Sequence, residues 1–298
     1  MVAVGCGITD SGSQRLQYQW ALPGSEASTV DESLPYLSDW TCSGDLRSLS
    51  GNGVPNHSVT GGEFATQISA QNIAIDFSLS PALATGATAV KEPAYARNGV
   101  KFDPATAGTC PSSATSAADC DPAMGFDPWR MEALPGSVES WQFGFGVDSS
   151  NAHVQPNGQY HYHGMPEALL ERLSGGAVTM QLVGWASDGF PLYARYGYSD
   201  PNDAGSALKV VAASYRVKAE PDDGRPSTAI FAMGHFTQDW EYVPGSGDLD
   251  ECNGRTGVTP EFPEGIYHYF VTDTYPFVQR CVKGVVSAAP GTGFGPGR

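Results

Sequence analysis

Apolar positions along most of this chain alternate with polar ones and seldom recur at helical spacing. Ile73-Ala-Ile75-Asp-Phe77 sets its large apolar residues two apart, which predicts a half-buried strand. Trp141-Gln-Phe143-Gly-Phe145-Gly-Val147 repeats the pattern with large residues at odd positions. Residues 179–186 and Phe190-Pro-Leu-Tyr193 flank Ser187-Asp188-Gly189, a turn signal, and read as a hairpin. Residues 212–217 add a further short strand. A helix is predicted at Pro166-Glu-Ala-Leu-Leu-Glu171-Arg-Leu173, with Pro in the first turn and Gly175-Gly176 as the stop. Residues 1–35 are polar and serine-rich with little periodicity, and from Trp40 onward the pattern becomes strand and turn. The expectation is a mainly β domain over 40–285, sandwich or barrel-like, with short helices and long ordered loops. A loosely attached arm (1–39) and a flexible tail (286–298) would flank it.

Composition narrows the class. Glycine (36) and proline (22) supply many turns and argue against a helical bundle. Only 16% of residues are charged while 11% are aromatic, so the chain can bury a sizeable core. The net charge of −16 disfavours nucleic acid and anionic membrane surfaces as partners. No apolar run is long enough for a transmembrane segment. Ala3-Val4-Gly5-Cys6 loosely fits a lipoprotein processing site, which makes Cys6 a candidate lipid anchor. The other fate for Cys6 is a disulfide. Six cysteines without a C-x-x-C pair allow 15 connectivities, and proximity favours Cys6–Cys42, Cys110–Cys120 and Cys252–Cys281. An even count in a turn-rich chain points to a secreted or periplasmic protein.

The chemistry concentrates in Pro156-Asn-Gly158-Gln-Tyr160-His161-Tyr162-His163-Gly164. The pattern P-x-G-x-Y-H-Y recurs in Pro263-Glu-Gly265-Ile-Tyr267-His268-Tyr269-Phe270, which reads as an internal repeat of a Y-H-Y strand. In a strand the tyrosines of each copy share one face and the histidines the other. His161 and His163 could therefore converge on one ion, with His268 as third ligand if the repeat places both strands in one cleft. Phe270 stands where a fourth histidine would fall, and His153 and His57 are reserve ligands. The competing account is a polar core, in which these histidines hydrogen-bond to carboxylates and tyrosines.

These strings resemble the YHYH domain family. The resemblance spans roughly Trp40 to Gly284 and rests on five segments. They are Asn52-Gly-Val-Pro-Asn-His57, Gly158-Gln-Tyr160-His161-Tyr162-His163-Gly164, Val183-Gly-Trp185-Ala-Ser-Asp188-Gly-Phe-Pro-Leu-Tyr193, Leu249-Asp-Glu251-Cys-Asn253-Gly-Arg255 and Tyr267-His268-Tyr269-Phe270-Val-Thr-Asp273. It implies an extracellular or periplasmic protein and delivers no activity.

Function rests on the residues. One reading is a secreted metal-dependent hydrolase acting on a small molecule or polysaccharide, with zinc favoured over copper or calcium at His161, His163 and His268. Asp188 or Glu251 would be its base or ligand-orienting partner, and Arg195 or Arg255 would orient an anionic substrate. Asn253, Trp185 and His57 complete the candidate substrate contacts. A metal-free variant uses Tyr160 or Tyr267 with a histidine as base and acid, as in a lyase. A third reading is a binding module for carbohydrate, mineral or metal without turnover, presenting Trp185, Tyr193 and Tyr196. Scattered methionines weaken copper capture. Asp248-Leu-Asp250-Glu251-Cys252-Asn253 fails the spacing of a calcium loop, and no nucleophile elbow, phosphate loop or dinucleotide fingerprint is present.

Overall fold

The computed structural model describes residues 4–21, 25–104, 106, 108–121, 125–134 and 146–286. Residues 141–145 of the expected 141–147 strand, and the 287–298 tail, lie outside the described residues. Among the described residues two large sheets form. One runs in the order Glu63–Phe64, Ile8–Trp20, Ser28–Ser43, Leu46–Gly51, Ile73–Ser78. The other has nine strands. Its order is Ala152–Val154, Tyr160–Tyr162, Lys101–Phe102, Ala94–Ala96, Met180–Ala186, Pro191–Tyr198, Ile266–Val271, Gly254–Gly257, with Leu208–Val210 also on Pro191–Tyr198. Both orders are open, so the protein is mainly β, and among the described residues no closed barrel forms.

The N-terminal stretch is the main correction to the expected organisation. Ile8–Trp20 and Ser28–Ser43 pair antiparallel along their length, and Leu16 and Tyr18 enter the same apolar core as Phe102, Tyr160 and Tyr269. The segment read as an arm is a structural hairpin. Its apolar residues do alternate (Leu16, Tyr18 and Trp20, then Val30, Leu34, Tyr36 and Trp40), but serine, glutamine and threonine dilute the signal.

Other elements form where the pattern puts them. Ile73–Ser78 is a strand, Glu167–Ser174 is a helix ended by Gly175 in the left-handed region, and Met180–Ala186 pairs with Pro191–Tyr198. At that hairpin's turn Gly189 has φ +90°, and a Cβ there would meet the Ser78 carbonyl oxygen at 2.5 Å, so only glycine fits. Residues 212–217 contribute only Tyr215–Val217.

All six cysteines are paired, as Cys6–Cys42, Cys110–Cys120 and Cys252–Cys281. Cys6 is thus a disulfide half, and the lipid-anchor expectation is not supported. The Cys252–Cys281 bond ties the turn ahead of Gly254–Gly257 to the Cys281–Gly284 strand. The nine-stranded sheet is buried on both faces. Tyr267, Tyr269 and Val271 enter the core shared with Leu16, while Phe270 enters a second one with Trp40, Trp185 and Tyr193.

Candidate metal centre

Ala152–Val154 and Tyr160–Tyr162 form an antiparallel hairpin in which His153 faces His161 directly. His163 lies two residues beyond His161, so alternation puts all three imidazoles on one face. The loop between is closed by Gln155 N donating to Gln159 O (3.0 Å) and Gly158 N to Gln155 O (2.8 Å). Past the strand, His163 N donates to Asn151 O at 2.8 Å, which keeps the third imidazole in line.

The three rings meet tip to tip. His163 Nε2 is 3.0 Å from His161 Nε2 and 3.0 Å from His153 Nε2, and the potential ligand atoms of all three lie within 4.8 Å of one another. His161 Nδ1 is 3.2 Å from the Gln159 carbonyl oxygen. A carbonyl only accepts, so Nδ1 carries the proton and Nε2 presents a lone pair in the neutral ring. His163 Nδ1 is buried without a partner among the described residues. Burial, then the neighbouring His153 and positive charges including Lys101, hold the His161 and His163 pKa values well below the usual histidine range. Both rings are therefore neutral at physiological pH.

Beside this face, Lys101 is the register partner of His161 in a parallel pairing and is almost fully buried. Its ammonium reaches Glu92 at 2.8 Å and Asp103 at 3.1 Å, and Asp103 also accepts from Gln155 Nε2 at 3.0 Å. Burial works against the Lys101 charge, but Asp103 and Glu92 raise its pKa above the ordinary value. Nothing in the sequence pattern marks this lysine, because only the register brings it to His161.

The structure brings His161 and His163 together with the reserve ligand His153. It does not bring His268, which lies on Ile266–Val271 with four strands intervening in the sheet order. Its neighbours are the rings of Tyr193 (5.5 Å) and Phe270 (5.2 Å). The expectation of one cleft shared by both Y-H-Y strands is corrected accordingly: a shared motif fixes local conformation, not position in a sheet.

The remaining candidates are held in structural contacts. The Tyr160 hydroxyl donates to Asp148 at 2.5 Å and that of Tyr267 to Asp250 at 2.9 Å. Burial pushes both tyrosine pKa values far above the ordinary value, which disfavours the tyrosinate form. His57 donates through Nδ1 to Ser58 O (2.9 Å), so its Nε2 accepts the Tyr162 hydroxyl (2.5 Å) on the tyrosine side of the strand. Asp188 is buried and accepts from Tyr269 Oη at 2.6 Å and Gly284 N at 2.8 Å. Glu251 pairs with Lys283 at 2.6 Å, a contact that lowers the Glu251 pKa. Arg195 is bound to Asp273 and Glu167, and Arg255 donates to Tyr198 O at 2.8 Å. Asn253 Nδ2 donates to Phe270 O at 2.8 Å. Trp185 is buried beneath the Arg47 guanidinium, 3.4 Å from its ring, and offers no sugar platform.

Fold and site together define a mainly β, disulfide-bonded protein in which two buried histidines and a half-buried third could hold a metal ion. A family model described as YHYH protein matches residues 74–284, and the chain belongs to that family. The match takes in both Y-H-Y hairpins and begins after the N-terminal one. Comparison with curated proteins and with solved structures finds no match. Three disulfides suggest a non-cytosolic protein. Among the described residues no helix is long and apolar enough to cross a membrane.

Proposed function

We propose that this chain is a non-cytosolic metal-binding protein whose His153, His161 and His163 hold one divalent transition-metal ion. The observation that carries the reading is the meeting of three imidazole Nε2 atoms, two of the separations being 3.0 Å. In a polar core these nitrogens would aim at carboxylates or hydroxyls. With neutral rings and Nδ1–H on His161, at most one of the two contacts can hold a full N–H···N bond, whereas an ion serves all three. Zinc at about 2.0–2.1 Å from each nitrogen in tetrahedral array would set the nitrogens about 3.3 Å apart, close to the observed spacing. An all-imidazole set suits zinc or copper and not calcium, which takes oxygen ligands. We favour zinc.

The hydrolase reading extends this one. Three protein ligands leave a fourth position open, the ligand count of catalytic zinc, where bound water loses its proton near pH 7. Glu92 and Asp103, the carboxylates bound to the ammonium of Lys101 beside His161, are the ones we assign to support such chemistry. Asp188 and Glu251 are not, being committed elsewhere. A carbohydrate-binding module loses support because two of its three aromatic residues, Trp185 and Tyr193, are buried, leaving a half-buried Tyr196.

Elemental analysis of the purified protein and of His163→Ala tests the proposal. One equivalent of metal in wild type and none in the variant is expected, with a chelator lowering the wild-type melting temperature only. Identical chelator responses in the two proteins would sink the metal reading.

A further inference from the structure

The two Y-H-Y strands sit in hairpins with matching hydrogen bonds. In the first, Asp148 N donates to Ala152 O (2.8 Å) and Asn151 N to Asp148 O (3.0 Å). Asp148 Oδ1 accepts from Ser150 N and Ala152 N, and Oδ2 from Tyr160. In the second, Asp250 N donates to Gly254 O (2.9 Å) and Asn253 N to Asp250 O (3.0 Å). Asp250 Oδ1 accepts from Cys252 N and Gly254 N, and Oδ2 from Tyr267. Asn151 and Asn253 both take the left-handed conformation, at φ +55° and +59°. Their carbonyls receive His163 N at 2.8 Å and Phe270 N at 2.9 Å.

The register extends the match to the ligand face. His153 lies opposite His161, and Arg255 lies opposite His268. His153 therefore corresponds to Arg255, His161 to His268, and His163 to Phe270. His268 retains the posture of a ligand: its Nδ1 donates to the carbonyl two residues back (Ile266 O, 2.9 Å), as His161 does to Gln159 O. Its Nε2 is buried with no partner among the described residues. The Arg255 guanidinium lies 5.3 Å from the Phe270 ring, a cation against an aromatic face.

We propose that the second hairpin is a second copy of the ligand-holding unit, in which Arg255 supplies the positive charge that a divalent ion supplies in the first. The inference rests on the metal reading of the first hairpin. It assigns the chain one ion, and it makes the second hairpin a latent site for the same class of ligand, a divalent transition metal, wherever Arg255 and Phe270 give way to histidine.

The test installs Arg255→His and Phe270→His in a His163→Ala chain, whose own ligand set is broken, and adds cobalt(II). One equivalent bound, with the visible absorption of an imidazole-ligated ion, is expected. His163→Ala alone should bind none. A folded variant that binds no cobalt overturns the proposal. If that variant does not fold, the reciprocal exchange decides: His153→Arg with His163→Phe should fold without metal and ignore chelator. A melting temperature below that of His153→Ala with His163→Ala would overturn the proposal. Wild-type metal content tests the metal reading separately, because a metal-free wild type sinks that reading while the altered second hairpin still decides this one.

Discussion

Hairpin 148–163 and hairpin 250–270 share their aspartate, asparagine and tyrosine contacts and differ on the opposite face. One face carries three histidines; the other carries Arg255, His268 and Phe270. What the two have in common is scaffold: the first tyrosine of each motif donates to the aspartate of its own hairpin, and each aspartate closes its turn with two backbone N–H groups. What separates them is chemistry. The tyrosines of the motif are thus construction residues, and ligand capacity depends on which side chains alternate with them.

The largest expected effect tests the shared scaffold. Asp148→Ala would strand Ser150 N, Ala152 N and the Tyr160 hydroxyl, all at fully buried residues. At about 1–3 kcal/mol for each unsatisfied group, a loss of about 3 kcal/mol or more is expected in denaturant titration. Asp250→Ala strands the equivalent three donors, but the Asp250 side chain is 24% exposed, so water replaces part of what is lost and the cost is smaller. Indifference to Asp250→Ala would break the equivalence of the two scaffolds.

The second test uses a difference beneath the tyrosines. Tyr162 donates to His57, whereas Tyr269 donates to Asp188. Burial lowers the His57 pKa to about 4 from an ordinary 6.5. The unfolded chain then takes up the proton more readily, so this contribution is complete above pH 6.5 and is lost as pH falls toward 4. Its full size is on the order of 3 kcal/mol. Asp148 opposes it, because burial raises its pKa to about 6 and acidification relieves the cost of its charge. Comparison with His57→Gln cancels the Asp148 part. The stability gap between wild type and variant should narrow by roughly that amount from pH 6.5 to 4. A gap constant with pH would show that His57 titrates alike in folded and unfolded chains.

How far the sequence foretold this arrangement depends on the kind of information each residue needs. His161 and His163 were legible because strand periodicity alone puts them on one face. His153 needed the pairing register, which its short segment does not encode, so it ranked only as a reserve. Lys101 needed a parallel pairing with a strand distant in the chain. His268 was misplaced because the repeated motif reports local geometry and is silent on the four strands between. The N-terminal hairpin was missed because its buried side, Leu16 and Tyr18, is a small part of two long polar strands. The disulfides were legible because each joins neighbours along the chain.

The smallest expected effect is the most discriminating, since it changes the same side chain at equivalent positions. His161→Phe removes a proposed ligand and should reduce bound metal from one equivalent to none. At free metal about one hundred times the dissociation constant, that forfeits about 2.7 kcal/mol of stabilisation by mass action. His268→Phe has no ion to lose. It removes an N–H from the Ile266 carbonyl, a cost of about 1 kcal/mol, and it also removes the buried Nε2 that has no partner among the described residues, which offsets part of that cost. Metal content should be unchanged and stability within about 1 kcal/mol of wild type. Elemental analysis and denaturant titration of the two variants read both quantities. Loss of metal from His268→Phe would mean that the second hairpin contributes to the ion after all, and the division into one chemical and one structural hairpin would fall.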